Sequence, residues 1–501
     1  MARALDFRQR SLSIAAAALV FLTLVASPVF GQSSVRRGGP AFPPHVNRAE
    51  LLRRLANPKL DRAERARLIT EAFARPVTMP DSPSPEPSID ATPVNGCGQW
   101  NAWFPDTSGS VARADHLMVY DPTGDRVVVF GGYDDRNEQS ADVWTLNLAG
   151  SPTWTRLQVV GTPPDLFRGA RGIYDGSRNR IVVYGQSLSA NSSVVYQLTL
   201  SGTPTWSNVT PPGTLPTHDF GYTTIYDAPR DRMVVFGGFI FDQSGDVPTN
   251  DVWALSFAPG GQWTKLAPAG PAPSPRYFST AIVDVPRDRM VVFGGYGYDD
   301  VLQQQITYDE TWTLSLAGGT AWTKLSPGGA AAPALLSHTA VFDAPRNRMI
   351  VFAGIDPIQV VNDAWSLSLT GATSWSKLTP SGVTPVATSS HAAVYDPVRQ
   401  RMLVFGGYEA GGDETWALSL TGSSTWSQIP TAGSVPRRRT GATLIVDTPR
   451  ARAVMFGGAT ARTARSATCG PTRSRGLAAG RAFTPAAPIR CSIRMPRSTT
   501  R

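Results

Sequence analysis

Seven copies of one spacing run along this chain, and they limit what it can fold into. Each copy opens on an aspartate: Asp121, Asp175, Asp227, Asp284, Asp343, Asp396 and Asp447. Five residues later stands an arginine each time: Arg126, Arg180, Arg232, Arg289, Arg348, Arg401 and Arg452. Four residues further comes an aromatic: Phe130, Tyr184, Phe236, Phe293, Phe352, Phe405 and Phe456. Six copies continue with a second aromatic, Trp144, Tyr196, Trp253, Trp312, Trp365 or Trp416. Ten residues after it comes Trp154, Trp206, Trp263, Trp322, Trp375 or Trp426, and 21 residues after that the next aspartate. Only the interval between the two aromatics changes, from 11 to 19 steps, so the period runs from 51 to 59 residues. A repeat of this length marks one supersecondary unit that must stack on its neighbours to bury its faces.

Each period reads as four short strands. "HLMVYD" is strand a and "RVVVFGG" is strand b, joined by a tight turn. "VWTLNL", with its alternation of apolar residues, is strand c, and "TWTRL" is strand d. The Gly-, Ser- and Thr-rich link between c and d suits a hairpin. Four antiparallel strands repeated radially are the arithmetic of a β-propeller blade. Tryptophans of strands c and d are then expected between blades. The repeated Asp and Arg are expected to hold the a–b turn, by accepting turn N–H groups or by pairing across the hairpin. A residue present in every blade supplies none of the asymmetry that a site needs.

These residues carry a resemblance. The Gly-Gly doublet after an apolar strand, the aromatic on strand c and the tryptophan on strand d resemble kelch repeats. The wording "YDPVRQRMLVFGG" and the long period are similar to the galactose-oxidase-type central propeller. The resemblance spans about Gly98 to Gly458 and implies an all-β, seven-bladed propeller at 97–458. Two repeats depart from it: Gln186 follows Gly185, and Ala353 precedes Gly354. Trp100 lies 21 residues before Asp121, so it reads as a strand-d tryptophan without strands a to c before it. The seventh repeat has strands a and b alone. In propellers of this kind one terminus often completes the last blade. The strand around Trp100 is therefore expected to join Thr440 to Gly458.

The ends of the chain read differently. Arg3, Arg8 and Arg10, the apolar run Ser11 to Ala26 and small residues up to Gly31 form an export signal, 1–31. The apolar run is short for a membrane anchor. Residues 32–96 read as a linker, with two short amphipathic helices over 47–74 around Pro58 and an extended Pro/Ser-rich spacer from Pro76 to Gly96. The tail 459–501 carries nine Arg and no Asp, Glu or Lys. It accounts for the whole formal charge of +9, so the body of the chain is neutral and gives no electrostatic case for nucleic acid or an anionic membrane. Read back by one base, codons for Thr468, Cys469 and Gly470 can spell Asp-Val-Trp, where a seventh strand c is due. The tail is expected to be a frameshifted continuation of the repeats; the alternative is a genuine disordered basic tail. A degraded gene product without a stable fold is a further reading. Cys97, Cys469 and Cys491 permit no disulfide assignment.

Candidate chemistry is sparse. A copper-radical oxidase, which the galactose-oxidase resemblance raises, needs a Cys–Tyr crosslink, Tyr and His ligands and a following domain. The cysteine nearest the repeats is Cys97, outside the blades. His116, His338 and His391 share one repeated position at the start of strand a, which favours a structural role over a metal site; His45 and His218 stand apart. No catalytic residue, metal or cofactor is assigned. The variable b–c loops are the better guide, because rigid scaffolds display function on variable loops. They bring Tyr133, Asp134, Asp135, Phe239, Phe241, Asp242, Tyr296, Tyr298, Asp299 and Asp300 to one rim, the candidate ligand-binding face. Aromatics beside carboxylates suit sugar rings or a protein partner. The chain is thus expected to be an exported, periplasmic or extracellular, monomeric binding module for a protein or carbohydrate. The alternative is a propeller enzyme acting on carbohydrate, an oxidase or a sugar isomerase.

Overall fold

The computed structural model describes residues 88–94, 97–103 and 113–460, apart from 134–138, 167–168, 191, 243–244, 300–303, 409–413, 430, 434–435 and 437. The export signal, the helices expected over 47–74 and the Arg-rich tail lie outside the described residues. Among those residues the chain is all β, apart from single 3-10 turns such as Ala228–Arg230. No described helix is long and apolar enough to cross a membrane.

Each repeat forms one antiparallel sheet in the order a, b, c, d. In the first, Leu117–Asp121 pairs with Arg126–Phe130, which pairs with Val143–Asn147, which pairs with Thr153–Leu157. The third repeats this with Thr223–Asp227, Arg232–Phe236, Val252–Ser256 and Trp263–Leu266. The register is constant. The aspartate that ends strand a faces the arginine that starts strand b, as Asp121 faces Arg126 and Asp343 faces Arg348.

Local chemistry explains the shape of each strand. Strand b reads Val-Val-Val-Phe or Met-Val-Val-Phe without alternation and is buried on both faces, because a neighbouring sheet covers each side. Strand d keeps its tryptophan buried and exposes the residues flanking it, as in Ser374–Lys377. The a–b turn needs one residue in the left-handed region, supplied by Asp125, Asn179, Asp231, Asp288, Asn347, Gln400 or Ala451 at φ of 45° to 50°. Asp and Asn tolerate this backbone better than other non-glycine residues, and five of the seven are one or the other.

Sheets dock by a contact repeated around the molecule. The aromatic that ends strand b packs on the strand-d tryptophan of the next sheet, with ring centroids 4.6 Å apart for Phe130–Trp206 and 4.8 Å for Phe352–Trp426. The last repeat makes the same contact with the first: Phe456 lies 5.1 Å from Trp154. Val454 and Phe456 share one core with Val127, Val129, Trp144 and Leu146. Strand-b arginines also reach the next sheet. Arg232 donates to the Leu316 carbonyl and Arg348 to that of Leu420, at 3.1 and 2.8 Å. Arg452 donates to the Leu148 carbonyl at 2.8 Å, and Arg450 bridges Asp447 and Asp125.

The last sheet corrects the linker boundary. Ser88–Val94, read as part of the spacer, is a strand, and it pairs with Arg452–Phe456 in the place of strand c. Cys97–Trp103 follows as strand d, so the order is Thr443–Asp447, Arg452–Phe456, Ser88–Val94, Cys97–Trp103. Ile89 faces Met455, the register position that Trp144 holds opposite Val129. Trp100 faces Ala91 as Trp154 faces Leu146. A second register agrees. A glycine after strand d pairs in parallel with the next strand-d tryptophan, as Gly329 does with Trp375, and Gly433 pairs this way with Trp100. The N-terminal hairpin therefore fills the slot that the sequence left empty, and the sheet needs no strand from the tail.

Candidate functional site

The repeated charges are scaffold. In all seven sheets the strand-b arginine donates its Nε to the strand-a aspartate at 2.7–3.0 Å. Asp121 also accepts from the N–H groups of Thr123 and Gly124. A second turn arginine crosses to the next sheet, as Arg178 does to Asp231 at 2.6 Å.

The repeated histidines are packed rather than displayed. His116, His338 and His391 stand edge-on against Phe456, Phe293 and Phe352, at centroid distances of 4.9, 5.4 and 5.4 Å. Nε2 of His338 shares a 2.7 Å hydrogen bond with Thr280, and that of His391 one with Thr339. Burial pushes all three down to about 3, with the Arg113 charge adding to the effect at His116. No group of three His, Cys, Asp or Glu among the described residues is placed to hold a metal ion.

Asymmetry appears on the face where the b–c and d–a loops meet. In the second and fifth repeats the b–c link only prolongs the b–c ladder, whereas in the third and fourth it forms a hairpin in a sheet of its own. Phe239–Asp242 pairs with Gly245–Pro248, and Tyr296–Asp299 with Gln304–Thr307. The d–a segment Arg276–Tyr277 pairs with the second hairpin. Between them sits an aromatic cluster. Phe239 lies 4.9 Å from Tyr277 and 5.9 Å from Phe220, and Tyr277 lies 5.0 Å from Phe278 and 5.5 Å from Tyr296. Phe239 is buried; Phe220, Tyr277, Phe278 and Tyr296 are half-buried.

Buried charge anchors this corner. Arg276 is fully buried, stacks over Tyr308 at 4.0 Å and donates to the Gly294 carbonyl and to Glu310. Burial alone would raise the Glu310 carboxyl. Hydrogen bonds from Lys324, Arg276 and Trp312 outweigh that and hold it down at about 2. Arg113 takes the corresponding place in the first repeat, bonded to the Gly131 carbonyl and paired with Asp142 at 2.8 Å.

The ten rim candidates fare unequally. Tyr133 is not displayed: it is buried, and its hydroxyl donates to the Leu166 carbonyl at 3.2 Å. Phe239 likewise turns inward, because pairing within its hairpin directs the ring onto Phe220 and Tyr277. Tyr296 is half-buried, its hydroxyl donating to Gln305, and Tyr298 is half-buried with its carbonyl accepting from Tyr308. Phe241, Asp242 and Asp299 hold register positions on the hairpins, with their side chains outside the described set. Asp134, Asp135 and Asp300 lie outside the described residues.

Phe220 and Phe278 were missed by the sequence reading, and Phe278 is the more informative. One residue of each repeat, just before strand a, has positive φ: Asp115, Gly169, Gly221, Phe278, Ser337, Ser390 and Gly441. Small or polar residues fill this position everywhere except at Phe278, which is held at φ 55°. A bulky side chain in that region is an outlier, costing on the order of 1–3 kcal/mol. The signal was present in "PRYFS", an aromatic where the other repeats place Gly, Ser or Asp.

Comparison with known proteins agrees with this geometry. Residues 96–307 match the family model of the Attractin/LZTR1 beta-propeller, and residues 308–469 that of the KLHDC2/KLHL20/DRC7 Kelch-repeats domain. The chain is built of kelch-type β-propeller repeats. Human host cell factor 1 is 28% identical over 275 residues, 51% of this chain and 13% of that protein. Mouse multiple epidermal growth factor-like domains protein 8 is 29% identical over 220 residues, 41% of this chain and 8% of that protein. The Drosophila melanogaster leucine-zipper-like transcriptional regulator 1 homolog is 26% identical over 232 residues, 43% of this chain and 22% of that protein. This kelch chain thus spans less than a quarter of the length of these relatives. A solved structure of YjhT aligns with 60% of this chain and 99% of its own, at a TM-score of 0.40 and 14% identity.

Proposed function

We propose that the chain is a seven-bladed kelch propeller that acts as an exported protein-binding module. One observation carries the reading. The scaffold is the same in every repeat, whereas the loop face differs from repeat to repeat, with two hairpins and one aromatic cluster gathered over the third and fourth sheets. Contacts of the last repeat with the first, and the N-terminal hairpin in the last sheet, support a closed ring of seven blades. Kelch relatives support a binding role. Export rests on the basic and apolar N-terminus. Aromatic rings beside carboxylates also favour a second reading, a carbohydrate ligand at the same face.

Capture of a partner by paired variants tests the module. One variant replaces the Tyr296–Thr307 hairpin by a short b–c loop; a control exchanges the exposed Val285 on the opposite, a–b turn face for Ala. A protein retained by the wild type and the control but lost by the loop variant supports the reading. A protein retained by all three refutes it. N-terminal sequencing of the chain after secretion tests export: a start near Gln32 is expected, and a product still beginning at Met1 contradicts it.

A further inference from the structure

We propose that the aromatic cluster around Phe278 seats a cationic segment of a partner polypeptide. The inference rests on the binding-module reading and names the chemistry of its partner.

Charge on the b–c loops is one-sided, whereas the d–a loops of the same face carry arginines, among them Arg168, Arg276 and Arg437 to Arg439. The six complete b–c loops hold sixteen of the chain's 38 acidic residues but, of its 47 Lys and Arg, Arg136 alone. Some of these acids are committed internally. Asp142 and Glu310 pair with the buried Arg113 and Arg276, and Asp251 and Asp363 pair with Lys265 and Lys377 on strand d. Beside the aromatic cluster, Asp242 and Asp299 end the rising strands of the two hairpins, and Asp309 is exposed at the base of the second. A cationic ligand gains from this field twice: it is steered toward the face, and like-charged competitors are kept off.

The cluster supplies the short-range half of recognition. Guanidinium and ammonium groups are drawn to the faces of aromatic rings, most strongly where the site is partly desolvated. The molecule already uses this contact within its own fold, with Arg276 over Tyr308 at 4.0 Å and Lys265 over Trp253 at 5.8 Å. Phe278 offers a half-buried ring at the position where the other repeats place Gly, Ser or Asp. The turn itself does not need this residue, since Gly, Ser and Asp make the same turn; what Phe278 adds is a ring packed edge-on against Phe220, Phe239 and Tyr277 in the cluster. Phe278 donates its N–H to the Gly221 carbonyl at 2.9 Å, and Ser390 donates to the Ser337 carbonyl at 3.2 Å in the same way. The ring itself is what the sequence retains at a conformational cost. A neutral sugar can stack on the rings and donate its hydroxyls to carboxylates but gains nothing from the long-range field; a basic peptide uses both the contacts and the field.

The test measures binding of a fluorescent Arg/Lys-rich peptide to the full chain by anisotropy. A Glu-rich peptide of equal length and a neutral oligosaccharide serve as comparators. The variants are Phe278→Gly, which relieves backbone strain while removing the ring, and Val285→Ala on the opposite face, which is expected to bind as the wild type does. Wild type is expected to bind the basic peptide and not the acidic one, with affinity falling steeply between about 20 and about 300 mM salt. Phe278→Gly is expected to weaken binding about tenfold while still unfolding cooperatively on heating. Absence of peptide binding at low salt overturns the proposal, as does equal binding by wild type and Phe278→Gly. Binding of the oligosaccharide in place of the peptide also overturns it. These failures leave the loop-replacement experiment unaffected, so a wrong partner chemistry is told apart from a wrong module.

Discussion

Trp154 and Phe456 are 302 positions apart in sequence and in contact only if the first and last sheets meet. That makes the pair a direct probe of closure. Both are buried, Trp154 at 8% and Phe456 at 3% exposure, with centroids 5.1 Å apart. Alanine at either site would cost about 3–5 kcal/mol, and both together would approach a typical domain's whole stability. Leucine is the better perturbation, because it keeps apolar volume and deletes the ring, at about 1–3 kcal/mol for each site. Aromatic pairs contribute about 0.5–1.5 kcal/mol beyond their burial. The double variant Trp154→Leu with Phe456→Leu should therefore be less destabilised than the sum of the singles by about 1 kcal/mol. Urea unfolding followed by far-ultraviolet dichroism measures this from the shift in midpoint at constant slope. Trp154→Leu with Phe352→Leu is the control, since Phe352 packs on Trp426 instead. Additivity of the first pair within about 0.3 kcal/mol would refute closure through this contact.

Further outcomes follow from the buried histidines and the glycine positions. Burial lowers His391 from 6.5 to about 3, so below 6.5 the unfolded chain binds a proton that the folded chain refuses. Stability is then lost as pH falls from 6.5 toward 3, at up to about 1.4 kcal/mol per unit for each such histidine, and is unaffected above 6.5. His391→Gln should shrink the difference between unfolding free energies at about pH 6.5 and pH 5 by one histidine's share; an unchanged difference contradicts the assignment. Ala353 stands at φ 57° where all six other repeats have glycine, five of them at positive φ, so Ala353→Gly should raise the urea midpoint, by about 0.5–1 kcal/mol in stability. A lowered midpoint would show that this backbone is not strained.

How much of this could be read in advance varied with the physics of each part. The sheets were legible because every repeat solves the same packing problem with the same Asp–Arg turn, the same buried strand-b aromatic and the same strand-d tryptophan. Ser88–Val94 was not, because the hairpin carries Ile89 where other strands c carry Trp or Tyr, and Trp100 follows at eleven residues instead of ten. The Asn95-Gly96 dipeptide between its strands was the available clue, since it favours a two-residue hairpin turn. On the loop face, Tyr296 and Tyr298 fell near the cluster, but the inward turn of Tyr133 and Phe239 was hidden. Ring direction there depends on pairing within and between loops, which spacing does not encode. Phe278 escaped notice because it lies in a d–a loop of constant length, where variation in loop length gives no signal.

The claim on which the rest depends is that the N-terminal hairpin completes the last sheet and so brings the loops of seven repeats around one face. Hydrogen exchange of the full chain, read peptide by peptide, tests it most directly. Amides of Ile89 to Ala91 should exchange as slowly as those of Val252–Ser256, the strand c of the third sheet, because both lie between two paired strands. Exchange of 88–94 at the rate of an open chain, with 452–456 protected on one side alone, would contradict the account and return the last strand c to another part of the chain.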